Sequence, residues 1–171
     1  MKEAVSTGTV DRGSPRGWLR FFLRVPIFFY RLKLGWLLGR RFLLLTHTGR
    51  KSGQEHSTVL EVLHYDRVSH CCIIASGWGT RSQWYKNVLR NPRIRYTIGL
   101  RERVGRAVQL PVERAEHQLQ RYGERHPGAI RKLAKLMIGE EFEGSPCQYR
   151  RLAARVPVLQ LAPDTDGGAL S

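Results

Sequence analysis

Hydrophobic positions recur along this chain with two different periods. An apolar run from Phe42 to Thr48 ends in Gly49-Arg50-Lys51-Ser52-Gly53, the pattern of a strand closed by a tight turn. Residues 58–65 and 68–76 are rich in β-formers and alternate, which predicts a hairpin joined at Asp66-Arg67 with every second side chain on the core. A loop is predicted at Gly77-Trp78-Gly79-Thr80-Arg81. Ser82 then fits as the N-cap of a short helix that stops before Asn91-Pro92. A second strand pair is expected over 93–99 and 102–110. Helical spacing follows, with Ala115, Leu119 and Tyr122 on one helix and Ile130, Leu133, Ala134, Met137 and Ile138 on the next. A third helix over 146–154 and a closing strand over 156–161 complete the pattern. Strands that arrive as hairpins and not as βαβ units predict a mainly β, α+β fold, an antiparallel sheet or small barrel with peripheral helices.

The ends of the chain read differently. Residues 1–14 are polar and unpatterned and are expected to be a disordered leader; 163–171 form a flexible tail after a barrel domain over 42–162. Between them and the barrel, residues 15–41 predict a basic amphipathic helix kinked at Pro26, with Arg16, Arg20, Arg24 and Arg31 in one arc and aromatic residues around the rest. No uncharged run reaches the ~18 residues of a spanning helix, so a transmembrane reading fails. Two readings of this helix stay open: an interfacial membrane helix, or a helix docked on the protein's own core.

Charge sharpens the picture. Lys and Arg number 29 against 14 acidic residues, a formal charge of +15, and no acidic residue lies between Asp11 and Glu55. Nucleic acid, an acidic lipid surface and a phosphorylated cofactor are the partner classes this implies. No RNA-recognition or helix-turn-helix pattern accompanies the arginines, which disfavours nucleic acid. Three cysteines without a CxxC pair point to a reduced, cytoplasmic setting, peripheral at the inner membrane face if the helix engages lipid. There is no Walker A sequence, no G-x-G-x-x-G after a strand, no H-E-x-x-H, no G-x-S-x-G and no zinc-spaced cluster, so no metal site is expected.

Two segments carry candidate chemistry. In the turn from Gly49 to Gly53 the glycines allow close backbone approach, and Arg50, Lys51 and Ser52 offer a guanidinium fork, a point charge and a hydroxyl to one anion. Successive amides there can form an anion-binding nest. In the second segment, Ala75-Ser76-Gly77-Trp78-Gly79 leaves a strand and is followed by Trp84, Tyr85 and Asn87 on a helix, a setting in which glycines let a flat ring reach the backbone.

Taken in order, Thr46-His47-Thr48-Gly49-Arg50-Lys51-Ser52-Gly53, Ala75-Ser76-Gly77, Trp84-Tyr85-Lys86-Asn87, Asn91-Pro92 and Val156-Pro157-Val158 resemble the deazaflavin-dependent nitroreductase family over about residues 18–162. The resemblance implies a six-stranded antiparallel split β-barrel like that of FMN-binding proteins, and an oxidoreductase that uses coenzyme F-420, with FMN as the alternative cofactor. It implies that Gly49, Arg50, Lys51, Ser52, Gly53 and His56 hold the coenzyme's phosphate and acidic tail. Ala75, Ser76, Gly77, Trp78, Gly79, Trp84 and Asn87 would border its rings. A hydride would pass to a hydrophobic acceptor such as a quinone or nitro compound. Ser76 and Tyr85 are the candidate proton donors, with Tyr122 and solvent as others, and Tyr122 and Tyr149 candidates for the acceptor side. Such chemistry belongs to the cofactor, which fits the absence of catalytic motifs. A non-catalytic lipid or fatty-acid-binding barrel at the membrane surface is the alternative, suggested by His56 and Gly77 where the family often has arginine and lysine. Related barrels also suggest a homodimer.

Overall fold

The computed structural model describes residues 40–164, so the 1–14 leader, nearly all of the 15–41 helix and the tail from 165 lie outside the described residues. The order of elements is β1 (Phe42–Thr48), β2 (Glu55–Tyr65), β3 (Cys72–Ala75), a single 3-10 turn (Gly79–Arg81), α1 (Gln83–Arg90), β4 (Arg93–Ile98), β5 (Arg101–Gln109), α2 (Val112–Arg125), α3 (Pro127–Ile138), α4 (Pro146–Arg155) and β6 (Val158–Pro163). The strands close into an antiparallel barrel in the order β1-β2-β3-β6-β5-β4. This is the six-stranded barrel that the resemblance implies, and of the two forms that the hairpin pattern leaves open it is the barrel.

Two apolar cores explain why the strands read as they do. Inside the barrel, Leu43, Leu45, Ile74, Tyr96, Leu159 and Leu161 are fully buried. Outside it, α2, α3 and α4 pack Leu119, Ile130, Ala134 and Leu152 against Leu63, Ile73 and Val158. β1 and β4 see only the first core, so their side chains alternate strictly. Toward its end β2 sees both, and Val62 and Leu63 are buried on opposite faces. The register shifts between Val62 and His64. There the Leu63 carbonyl accepts a 2.7 Å hydrogen bond from Arg125, which ties α2 to the strand.

Boundaries depart from the sequence expectation in four places. β2 starts at Glu55 because its first residues pair with the end of β1, His47 opposite His56. The β2–β3 connection is a longer loop and not a two-residue turn. In it the Asp66 carboxylate accepts from the Val68 amide at 2.9 Å and from the Ser69 hydroxyl at 2.6 Å, which holds 66–71 out of the ladder. Val156 caps α4 through its amide to the Leu152 carbonyl, so β6 begins at Val158 and runs to Pro163. Ser82 sits at the N-cap position of α1 without capping it, because its hydroxyl is engaged by Ser76. Among the described residues no helix is long and apolar enough to cross a membrane.

Candidate functional site

A cleft of about 780 Å³ runs along the outer face of β2, between the β1–β2 turn, α1 and the α2–α3 layer. The turn at its head is built by two glycines with different duties. Gly53 has φ of 68°, a left-handed conformation that favours glycine, and its amide donates to the Gly49 carbonyl at 2.8 Å. Gly49 is needed for closeness: a Cβ there would lie 2.7 Å from Ser52 Oγ and 2.8 Å from His56 Nε2.

Arg50 is fixed before any anion arrives. Its backbone N–H donates to Asn87 Oδ1 at 3.2 Å, and its guanidinium donates to the same oxygen and to Gln83 Oε1, each at 2.9 Å. Both acceptors are neutral amides. The arginine is therefore oriented without being neutralised, and its charge stays available to the cleft. The amides of Lys51 and Ser52 make no hydrogen bond among the described residues, so two adjacent N–H groups remain beside the two cations.

Asn87 is itself pinned. Its Oδ1 takes the arginine, so its Nδ2 faces His47 Nδ1 at 3.3 Å and donates to it, which leaves the ring proton on Nε2. Burial, followed by the neighbouring His56, pushes the His47 pKa down from 6.5 to about 4. This ring is neutral near pH 7, as the contact requires.

The far half of the cleft is apolar, walled by Val59, Leu60, Leu63, Ala129 and Leu133, and Trp78 and Trp84 also line the cleft. One polar cluster interrupts it. The Tyr122 hydroxyl donates to Glu61 at 2.7 Å, and Arg41 Nε donates to the same carboxylate oxygen at 3.1 Å. Burial and then the carboxylate raise the Tyr122 pKa, so it is a protonated phenol. Glu61 is the one carboxylate that lines the cleft among the described residues.

Of the residues singled out from sequence, Gly49, Arg50, Lys51, Ser52, His56, Ala75, Gly77, Trp78, Trp84 and Asn87 meet in this cleft. Gly53 and Gly79 do not line it; they shape the backbone around it, Gly79 with φ of 60° and no room for a Cβ beside Met137. The two candidate proton donors lie elsewhere. Ser76 is fully buried behind the wall, its proton donated to the Gly79 carbonyl at 2.7 Å. Tyr85 points into the barrel and donates to Gln109 at 2.7 Å. Tyr149 packs under Gly123 and against Phe142, away from the cleft, whereas Tyr122 lines it. His47, Glu61, Ser82 and Gln83 line the cleft without having been singled out as its residues, and only His47 lay within a quoted motif.

Comparison with known proteins bears on the family and the fold. The family model described as F-420-H(2)-dependent quinone reductase matches residues 30–133. No curated protein matches the chain significantly. Among solved structures, the chain is similar to one described as a domain-swapped dimer, 22% identical, covering 86% of this chain and 99% of that one with a TM-score of 0.52. It is also similar to a pyridoxamine 5'-phosphate oxidase-related, FMN binding protein from Nostoc punctiforme, 12% identical, covering 88% and 83% with a TM-score of 0.51. An F-420-H2-dependent reductase (FDR-A) is 23% identical, covering 72% and 95% with a TM-score of 0.49. At such identities the two structures at 0.51 and 0.52 establish the shared fold.

Proposed function

The chain belongs to the F-420-H(2)-dependent quinone reductase family and is an oxidoreductase of coenzyme F-420, and from that premise we propose how its cleft divides the work. The single observation that carries the reading is the polarity of the cleft, cationic at the turn and apolar beyond it. Arg50, Lys51 and the free amides of Lys51 and Ser52 would hold the coenzyme's phosphate and acidic tail. Ala75, Gly77, Trp78 and Trp84 would border its rings. A Cβ at Gly77 would meet only Leu133 Cδ1 at 3.8 Å, so the wall there leaves space for a flat group.

When bound in its reduced form, the coenzyme supplies a hydride. The protein's own contribution is placement and exclusion of water. Leu60, Leu63, Ala129 and Leu133 offer a dry surface to a hydrophobic acceptor such as a quinone. Tyr122, whose proton rests on Glu61 in the same cleft, presents the phenol nearest that surface and would turn that proton to the acceptor's oxygen, while Arg41 keeps the carboxylate paired. Ser76 and Tyr85 keep structural duties, because both donate their protons away from the cleft. The domain-swapped dimer among the similar structures supports a homodimer for this chain, which light scattering checks.

The test is single-turnover oxidation of the reduced coenzyme by menaquinone-type and nitroaromatic acceptors. Tyr122→Phe is expected to lower kcat/KM for the quinone roughly tenfold while coenzyme affinity stays unchanged, since one hydrogen bond of this kind contributes about 1.5 kcal/mol. Fatty acid released from purified protein that shows no coenzyme binding would overturn this reading in favour of a lipid-binding barrel.

A further inference from the structure

The end of the barrel opposite the β1–β2 turn carries a second constellation. There the chain enters at Arg40, and the β2–β3 and β4–β5 loops come together around a cavity of about 320 Å³ lined by Arg40, Tyr65, Arg67, His70, Leu100 and Arg101, among others. Arg40 lies over the Tyr65 ring, 5.6 Å from its centre, and the Tyr65 hydroxyl meets His70 Nδ1 at 2.8 Å. Arg67 and Arg101 make no ion pair or side-chain hydrogen bond among the described residues. The nearby Asp66 carboxylate is already engaged by its own loop, and Glu102, the next acidic residue, follows Arg101 on the strand and so points to the other face.

At the tips of the same two loops, apolar side chains stand in water. Val68 is 90% exposed and Leu100 is 69% exposed. Unpaired arginines ringing protruding aliphatic side chains match the chemistry of one surface, in which phosphates lie above hydrocarbon. A soluble phosphate would leave Val68 and Leu100 without a role, and a nucleic acid would offer them nothing apolar to enter. The sequence that leads into this rim is also basic, with Arg31 and Lys33 shortly before Arg40.

We propose that this rim docks on anionic phospholipid bilayers, with Val68 and Leu100 entering the headgroup layer and Arg40, Arg67 and Arg101 taking lipid phosphates. The placement also orients the enzyme. Glu61 stands four residues along β2 from Tyr65, about 13 Å above the rim. A lipid-soluble acceptor would then leave the bilayer toward the apolar end of the cleft. This surface is separate from the coenzyme site, so neither proposal depends on the other.

The experiment is co-sedimentation of the full chain with vesicles of phosphatidylcholine alone or with phosphatidylglycerol added. Binding is expected only with the anionic lipid. Each neutralised arginine should weaken it about fivefold, so Arg67→Glu/Arg101→Glu is expected to weaken it at least roughly twentyfold. Val68→Ser/Leu100→Ser is expected to weaken it roughly tenfold. Arg90→Glu/Arg114→Glu makes the same change of charge at exposed positions toward the opposite end and should leave binding intact. Coenzyme titration by fluorescence, unchanged in both rim variants, shows that they are folded. Equal binding to both vesicle types would overturn the proposal. So would rim variants that bind like the wild type, because attachment would then belong to the basic segment before Arg40.

Discussion

Asn87 shows how much one side chain decides. It joins Arg50 on the turn to His47 on β1, and it does so as a neutral amide. Asn87→Ala is expected to weaken coenzyme binding about tenfold or more, because Arg50 loses two hydrogen bonds and a buried partner is left unsatisfied. Asn87→Asp separates orientation from charge: it holds the guanidinium at least as firmly but neutralises it, and should weaken binding at least as much. Both constants come from fluorescence titration. His47 adds a pH dependence of known sign. An unfolded chain takes up this proton near pH 6.5, whereas the folded ring resists it until about 4. Stability is therefore full above about 6.5, falls as pH drops toward 4 by on the order of 3 kcal/mol, and levels off below. Thermal melts across this window should show the fall, and His47→Gln should flatten it. The roles of His47 and Ser76 are not legible in sequence. His47 reads as one more inward position of an apolar strand, and Ser76 reads as a free hydroxyl because nothing local reveals that its proton goes to Gly79.

At the scale of elements, turns carry more information than strands. The segment Gly49 to Gly53 is readable because its signals are local: two glycines bracket the basic residues, and the structure closes them into a turn through the Gly53 amide and the Gly49 carbonyl. Gly49→Ala is expected to push Ser52 and His56 aside and weaken coenzyme binding about tenfold while the melting temperature moves little, since both neighbours are side chains. Gly123→Ala makes the converse prediction. A Cβ there collides with the Tyr149 hydroxyl between α2 and α4, so stability should fall by about 2 kcal/mol or more, with coenzyme affinity in the surviving folded protein unchanged. Denaturant titration reads that loss. The β2–β3 connection is longer than the two-residue turn that the sequence predicts because the Asp66 side chain builds a loop that hydrophobic spacing does not register. β6 starts two residues later than the sequence predicts because Val156 looks like a strand residue while it caps a helix.

The described residues join a barrel, built from hairpins and closed by the long-range β1–β4 and β3–β6 pairings, to a helical layer that covers part of one face. The cleft lies where that cover stops. Its turn end was visible in sequence, being local, but its far end was not: Glu61 and Tyr122 are 61 residues apart and meet only because α2 folds back on β2. This division of the cleft is the claim on which the account rests. It is tested most directly by comparing the affinity of intact coenzyme F-420 with that of its deazaflavin chromophore lacking phosphate and acidic tail. The intact coenzyme should bind at least roughly a hundredfold more tightly, because two cations and two free amides act on the tail, and Arg50→Ala/Lys51→Ala should close most of that gap. Equal affinity of the two compounds for the wild-type protein would contradict the account.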